Sequence, residues 1–132
     1  MSSCRCEGSD GVAVVAPAKV FELARAIQDA PESVVSREIL RGRDGGVTLF
    51  AFDAGQKLSE HTAPHDALVQ VIEGEMDVSI AACELRVKAG QAVIMPADVP
   101  HAVHAPVPAK MMLVMLRPDS GVTDPHDDSE EG

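Results

Sequence analysis

From Val34 to Leu116 the chain is a series of short segments in which apolar and polar residues alternate. Met76, Val78 and Ile80 alternate with Glu75, Asp77 and Ser79, and Leu85 and Val87 alternate with Glu84, Arg86 and Lys88. Successive side chains leave a strand on opposite sides, so period two marks a strand with one buried and one wet face. VVSREIL, VTLFAF, ALVQVI, QAVIM, VPHAVHA and KMMLVML read as further strands, with turn signals such as RGRDGG between them. Gly55, Gly74 and Gly90 punctuate the run. Many short strands with no interleaved helices leave a sandwich or a barrel, so the fold class is all-β. KMMLVML is apolar on both faces, which makes it either a central strand or part of a subunit interface.

One helix is expected before the strands. Pro17 suits a first helical turn, and Val20, Leu23, Ala24 and Ile27 fall at i, i+3, i+4 and i+7 with Phe21 flanking. Asp29-Ala30-Pro31 stops it. Residues 1–14 read as a polar leader and 119–132 as an acidic tail, both expected to be disordered, which leaves 15–118 as the domain.

A chain of 132 residues is one domain's worth. It is long enough to bury roughly 68% of its unfolded surface. The net charge is −10, but six of the acids lie in the last fourteen residues, which hold no Lys or Arg. Without them 15 acids face 11 bases. A mildly acidic body without a basic stripe argues against nucleic acid and against anionic membrane surfaces as partners. No apolar run has transmembrane length, and the N-terminus lacks the basic and apolar regions of a signal peptide. Three cysteines are an odd number, with Cys4 and Cys6 in the leader, so a disulfide framework is not expected and a cytoplasmic location is. Two thiols at Cys4 and Cys6 make an incomplete metal site. Cys83, placed in the hairpin turn AACE, has no base beside it in sequence and reads as inert. There is no Tyr and no Trp, hence no tyrosine acid and no indole platform for sugars or bases. Gly-rich phosphate loops, a Gly-x-Ser-x-Gly elbow and Cys-x-x-Cys pairs are missing from the sequence.

The residues that remain for chemistry are histidines. His61 and His65 form one cluster and His101 and His104 another, while His126 falls in the tail. In VPHAVHA an extended strand puts Val99, His101 and Val103 on one face and His104 on the other. The valines mark the His101 face as inward. His65 follows Pro64, which interrupts regular pairing, so its direction is not legible.

Gly55, His61 six residues on, and then Gly74 resemble the first motif of the cupin superfamily. Gly90, Pro96 six residues on, and then His101 resemble the second. The stretches SEHTAPHDALVQVIEGE and VIMPADVPHAVHA are similar to small single-domain cupins, and the resemblance spans roughly residues 18–117. It implies a double-stranded β-helix (jelly-roll) barrel with a short N-terminal helix, commonly a homodimer. It also implies a site in which His-x-His, then Glu or a third His, and a final His hold one divalent Fe, Mn, Ni, Zn or Cu ion. In that alignment His61 keeps the first position and His101 the last, while Ala63 and Ala67 occupy the other two. His65 and Gln70 are the candidates to compensate, although strand parity puts Gln70 on the face opposite Ala67. Glu60 and Asp66 are further oxygen donors nearby, each also readable as a surface or turn residue. The plain reading of His61 and His101 is a pair of barrel-lining polar groups bonded to each other or to water, and His65 and His104 read equally as solvated rim residues. Met95, Met111, Met112 and Met115 read as adaptable packing.

Three functions follow from this residue set. A metal-dependent cupin would polarise a small oxygen-bearing molecule or activate dioxygen at His61 and His101, with His65 or Gln70 assisting. A metal-free module would bind or sense a small molecule with the two imidazoles as anchors. A metal-free isomerase would use one of them as a base, but the His–Tyr version known in this fold has no Tyr here.

Overall fold

The computed structural model of the protein describes residues 12–13 and 15–117. The leader with Cys4 and Cys6, and the acidic tail with His126, lie outside the described residues. The described chain is ten strands: β1 (Val12–Ala13), β2 (Val34–Gly42), β3 (Gly45–Phe52), β4 (Lys57–His61), β5 (Asp66–Glu73), β6 (Glu75–Ile80), β7 (Cys83–Lys88), β8 (Ala92–Met95), β9 (His101–His104) and β10 (Ala109–Leu116). They form a six-stranded sheet in the order β1-β2-β3-β10-β5-β8 and a four-stranded sheet in the order β4-β9-β6-β7. All pairings are antiparallel. Two facing antiparallel sheets with crossovers between them are the jelly-roll arrangement.

KMMLVML is a central strand, since β10 pairs with β3 on one side and β5 on the other. Its two apolar faces serve two cores. Met111 packs between the sheets with Phe52, Val69, Val71, Met76, Val78 and Val103. Met112, one residue on, meets the second cluster, formed by Ile27, Ile39, Leu49 and Ala51. β5 alternates in the same way, with Ala67, Val69 and Val71 buried between the sheets. Gly74, between β5 and β6, has φ +77, and a Cβ there would collide with the Pro108 carbonyl oxygen. Only glycine meets both conditions cheaply.

The N-terminal helix expected over Val20 to Ile27 is reduced to one 3-10 turn, Leu23–Arg25. Ala18 adopts φ 64 and Glu22 is extended, so no right-handed helix runs through them. The carbonyls that a helix would use internally are taken from outside: Lys110 Nζ donates to Ala24 O at 2.6 Å and Arg37 to Ala26 O at 2.7 Å. Leu23 and Ile27 reach the second cluster without the helix, while Val20 is fully exposed. The β6–β7 turn also differs by a residue. Ile80 pairs with Cys83, so the two-residue turn is Ala81–Ala82 and Cys83 opens β7. Among the described residues no helix is long and apolar enough to cross a membrane.

Candidate functional site

β4 and β9 pair antiparallel, and Lys57 and Leu58 oppose His104 and Val103 in regular register. The register then shifts between Leu58 and His61. This shift has a chemical consequence. Leu58 and His61 are three residues apart, so a regular strand would send them to opposite faces. The irregularity turns both toward the interior, where they line one cavity. His61 then lands opposite His101, which is 7% exposed and comes from the inward face of β9.

The two imidazoles meet edge to face, with centroids 4.4 Å apart and planes at 72°. Their Nε2 atoms are 3.2 Å apart. Each Nδ1 is bonded to a backbone carbonyl two residues back, His61 to Ser59 O at 2.8 Å and His101 to Val99 O at 3.1 Å. A carbonyl oxygen only accepts, so both Nδ1 atoms carry the proton. In the neutral rings both Nε2 atoms are therefore acceptors, and two acceptors 3.2 Å apart repel. A cation between them, a shared proton or a metal ion, relieves that repulsion. Burial holds the His101 imidazole below its ordinary pKa; the Val99 carbonyl pulls the other way and the His61 charge adds to the lowering.

The donor pair fits a metal in spacing. Two nitrogens bound to one ion at 2.0–2.1 Å lie about 2.8–3.4 Å apart at bond angles from right-angled to tetrahedral. The 3.2 Å separation falls inside that range. Metal-binding histidines usually donate their other ring N–H to a carbonyl or carboxylate, as both Nδ1 atoms do here. In number the set is short. Among the described residues no three His, Cys, Asp or Glu side chains converge as metal ligands. Ala63 and Ala67 line the cavity where the resemblance places two further ligands.

The cavity is about 80 Å³ and lies between the sheets. Its walls are Phe50, Leu58, Met95, Val103, Met111, Leu113 and Met115, and among the described residues its polar side chains are His61, His65 and His101. His65 Nδ1 is buried without a hydrogen-bond partner. The other sequence candidates are placed elsewhere. Gln70 sits on the opposite face of β5 from Ala67 and Val69, between Met112 and Ala92, and does not line the cavity. The Asp66 carboxylate accepts the Ala97 N–H at 2.8 Å and so braces the loop before His101. Asp98 N–H donates to Ala63 O at 2.8 Å and ties the same two loops together. Glu60 lines a different hollow, an open groove of about 310 Å³ on the outer face of the four-stranded sheet. That groove is larger than the cavity but excludes the His61–His101 pair. It holds His104 instead, whose Nδ1 is 3.4 Å from Asp77, itself bonded to Arg86.

The carbonyls of Ser59 and Val99 were not legible in the sequence, because a backbone acceptor leaves no residue-type signal. The methionine and leucine wall was visible only as apolar alternation.

Residues 48–116 match the family model described as "Cupin domain". A conserved protein of unknown function from Streptococcus pyogenes is 33% identical, with a TM-score of 0.76 over 80% of this chain and 93% of that one. A cupin 2 conserved barrel domain protein from Leptotrichia buccalis is 32% identical, with a TM-score of 0.71 over 74% of this chain; the match spans 47% of that protein. A salicylate 1,2-dioxygenase from Pseudoaminobacter salicylatoxidans shares the fold at 15% identity and a TM-score of 0.60, over 65% of this chain and 26% of that one. No curated protein sequence matches the chain. The two-sheet barrel, the family match and the relatives above 30% identity agree, and the chain belongs to the cupin family.

Proposed function

We propose that His61 and His101 form the core of a divalent metal site, and that the protein binds or transforms a small molecule there. The observation that carries this reading is the approach of the two Nε2 atoms to 3.2 Å, each ring fixed by a carbonyl at Nδ1. When bound, the ion supplies a Lewis acid inside the cavity. The protein's own residues do the rest. His101 holds the buried side and His61 the exposed side of the centre. Ser59 and Val99 fix the two rings. Phe50, Leu58, Met111 and Leu113 exclude water from the bound molecule. His65, with its unpartnered Nδ1, offers that molecule a hydrogen bond rather than completing the metal's ligands. Salicylate dioxygenase, which shares the fold, is in keeping with a small-molecule reaction.

A second reading is a metal-free ligand-binding cupin. Ala63 and Ala67 on the cavity wall favour it, since neither side chain can ligate. The two readings separate on elemental analysis of the full chain after incubation with Fe, Mn, Ni, Zn and Cu in turn. Protein must be quantified without 280 nm absorbance, as there is no Trp or Tyr. The metal reading expects near-stoichiometric loading, lost in His61→Ala and in His101→Ala. Wild-type protein that stays metal-free with all five ions sinks it and leaves the second.

A homodimer is proposed with either reading. Strand parity puts Ile94 and Leu116, both more than half exposed, on the outer face of the six-stranded sheet. A monomer in light scattering at micromolar concentration would overturn that part.

A further inference from the structure

We propose that the acidic segment 119–132 docks back on the arginine-rimmed hollow at the β2–β3 turn, the end of the six-stranded sheet from which it leaves. The docking is independent of the His61–His101 centre.

The place of departure is fixed by the strands. Leu116, the last residue of β10, pairs with Gly45, and the Arg117 N–H donates to Asp44 O at 2.8 Å. The chain therefore leaves the sheet beside the β2–β3 turn, whose two residues are Arg43 and Asp44. Residues 118–132 follow in the sequence, and a stretch of that length can span up to about 50 Å, so reach does not restrict a return.

The hollow beside the turn is apolar at its floor and basic at its rim. Leu40, Val47, Val114 and Leu116 make the floor, and Leu40 and Leu116 are exposed. Exposed leucines gathered in one hollow mark a surface that a partner covers. Arg41 and Arg43 stand on the wall, with Arg117 next to Leu116, against one acid, Asp44. Arg41 also lies 3.6 Å from Glu38, but that pair is solvent-exposed and contributes little, so the guanidinium can turn to another carboxylate. Gly42, Gly45 and Gly46 add no side chains, which leaves room for a chain to lie against the turn.

Charge selects the occupant. The segment carries Asp119, Asp124, Asp127, Asp128, Glu130 and Glu131 and no Lys or Arg. At the outer groove of the four-stranded sheet it would meet its own sign, in Glu60, Asp77 and Glu84. Val122, five residues past Arg117, matches the leucine floor. Surface ion pairs are weak singly, but a short tether holds the acids at an effective concentration on the order of millimolar. Docking at β2, β3 and β10 leaves Ile94, on β8 at the other edge of the sheet, for a second copy.

The test is ¹H–¹⁵N NMR of the full chain against a full-length variant carrying Asp119→Asn, Asp124→Asn, Asp127→Asn, Asp128→Asn, Glu130→Gln and Glu131→Gln. All six positions lie outside the ten strands. In about 10 mM NaCl the amides of Gly42, Asp44, Gly45 and Gly46 are expected to differ between the two proteins, while Ala81 and Ala82 in the β6–β7 turn stay in place. In about 1 M NaCl, where the screening length falls from about 30 Å to about 3 Å, the difference should vanish. Arg41→Gln together with Arg117→Gln should remove most of the salt dependence of the Val122 and Asp124 amides. Spectra that coincide at residues 42–46 in low salt overturn the proposal, and so does a difference spread evenly over the barrel. Equilibrating the ¹⁵N-labelled variant with unlabelled wild type shows whose segment is bound. Turn amides that move to their wild-type positions in that mixture place the segment of a second copy there, which also overturns it. No metal is added in any of these measurements, so a failure leaves the proposed metal centre as it stands.

Discussion

His61 and His101 are 40 residues apart in sequence and 3.2 Å apart at Nε2, across the junction of β4 and β9. Each ring is fixed by its own backbone carbonyl, so the close approach of the two Nε2 atoms is a property of the strands and not of a chance rotamer. The register shift between Leu58 and His61 is what brings them together.

The segment from Val15 to Ala30 is not a helix, yet it is integral to the fold. Ile27 is 4% exposed and closes the second cluster over Leu49 and Ala51. Ile27→Ala is expected to cost about 2–4 kcal/mol, the usual range for a buried Ile. Urea denaturation checks it, and a change below about 1 kcal/mol would mean that the segment only rests on the sheet.

The strands were legible in the sequence because a half-buried strand writes its period into residue type. Met76, Val78 and Ile80 on β6 are an example, and Met76 and Val78 are indeed buried. The helix misled because Ile27 is buried and Leu23 partly buried against the sheet face, and an i, i+4 pair records burial without recording the backbone path. His101 was legible from Val99 and Val103 on its face. His61 was named through the family resemblance and not through strand parity, because its direction depends on a register shift that no side chain announces.

The Ala81–Ala82 turn holds both residues at positive φ, 52° and 69°. Two-residue hairpins of this kind favour Asn-Gly, and alanine bears a steric cost there. Replacing the pair with Asn-Gly is expected to stabilise the protein by about 1–2 kcal/mol. That corresponds to a Tm increase of several degrees. An unchanged or lower Tm in calorimetry would contradict it.

Arg86 holds the Asp77 carboxyl below its ordinary value, with His104 adding to the effect and burial opposing it. Glu75 also faces Arg86. A carboxylate with a lowered folded pKa adds stability above its unfolded value near 3.8 and loses it as pH falls through the folded value. Below about pH 4 the wild type should therefore lose stability more steeply than Asp77→Asn. Parallel pH-stability curves for the two proteins would refute the assignment. Because the pair lies on the outer groove, Asp77→Asn should leave metal loading unchanged.

Histidine ¹⁵N NMR of the full chain, before and after one equivalent of zinc, tests the paired Nε2 atoms most directly. The account predicts that His61 and His101 both carry the proton at Nδ1 in the neutral, metal-free protein. It predicts that zinc then shifts both Nε2 signals together and saturates at one ion per chain. A neutral ring protonated at Nε2, or zinc that leaves either Nε2 signal in place, would contradict it.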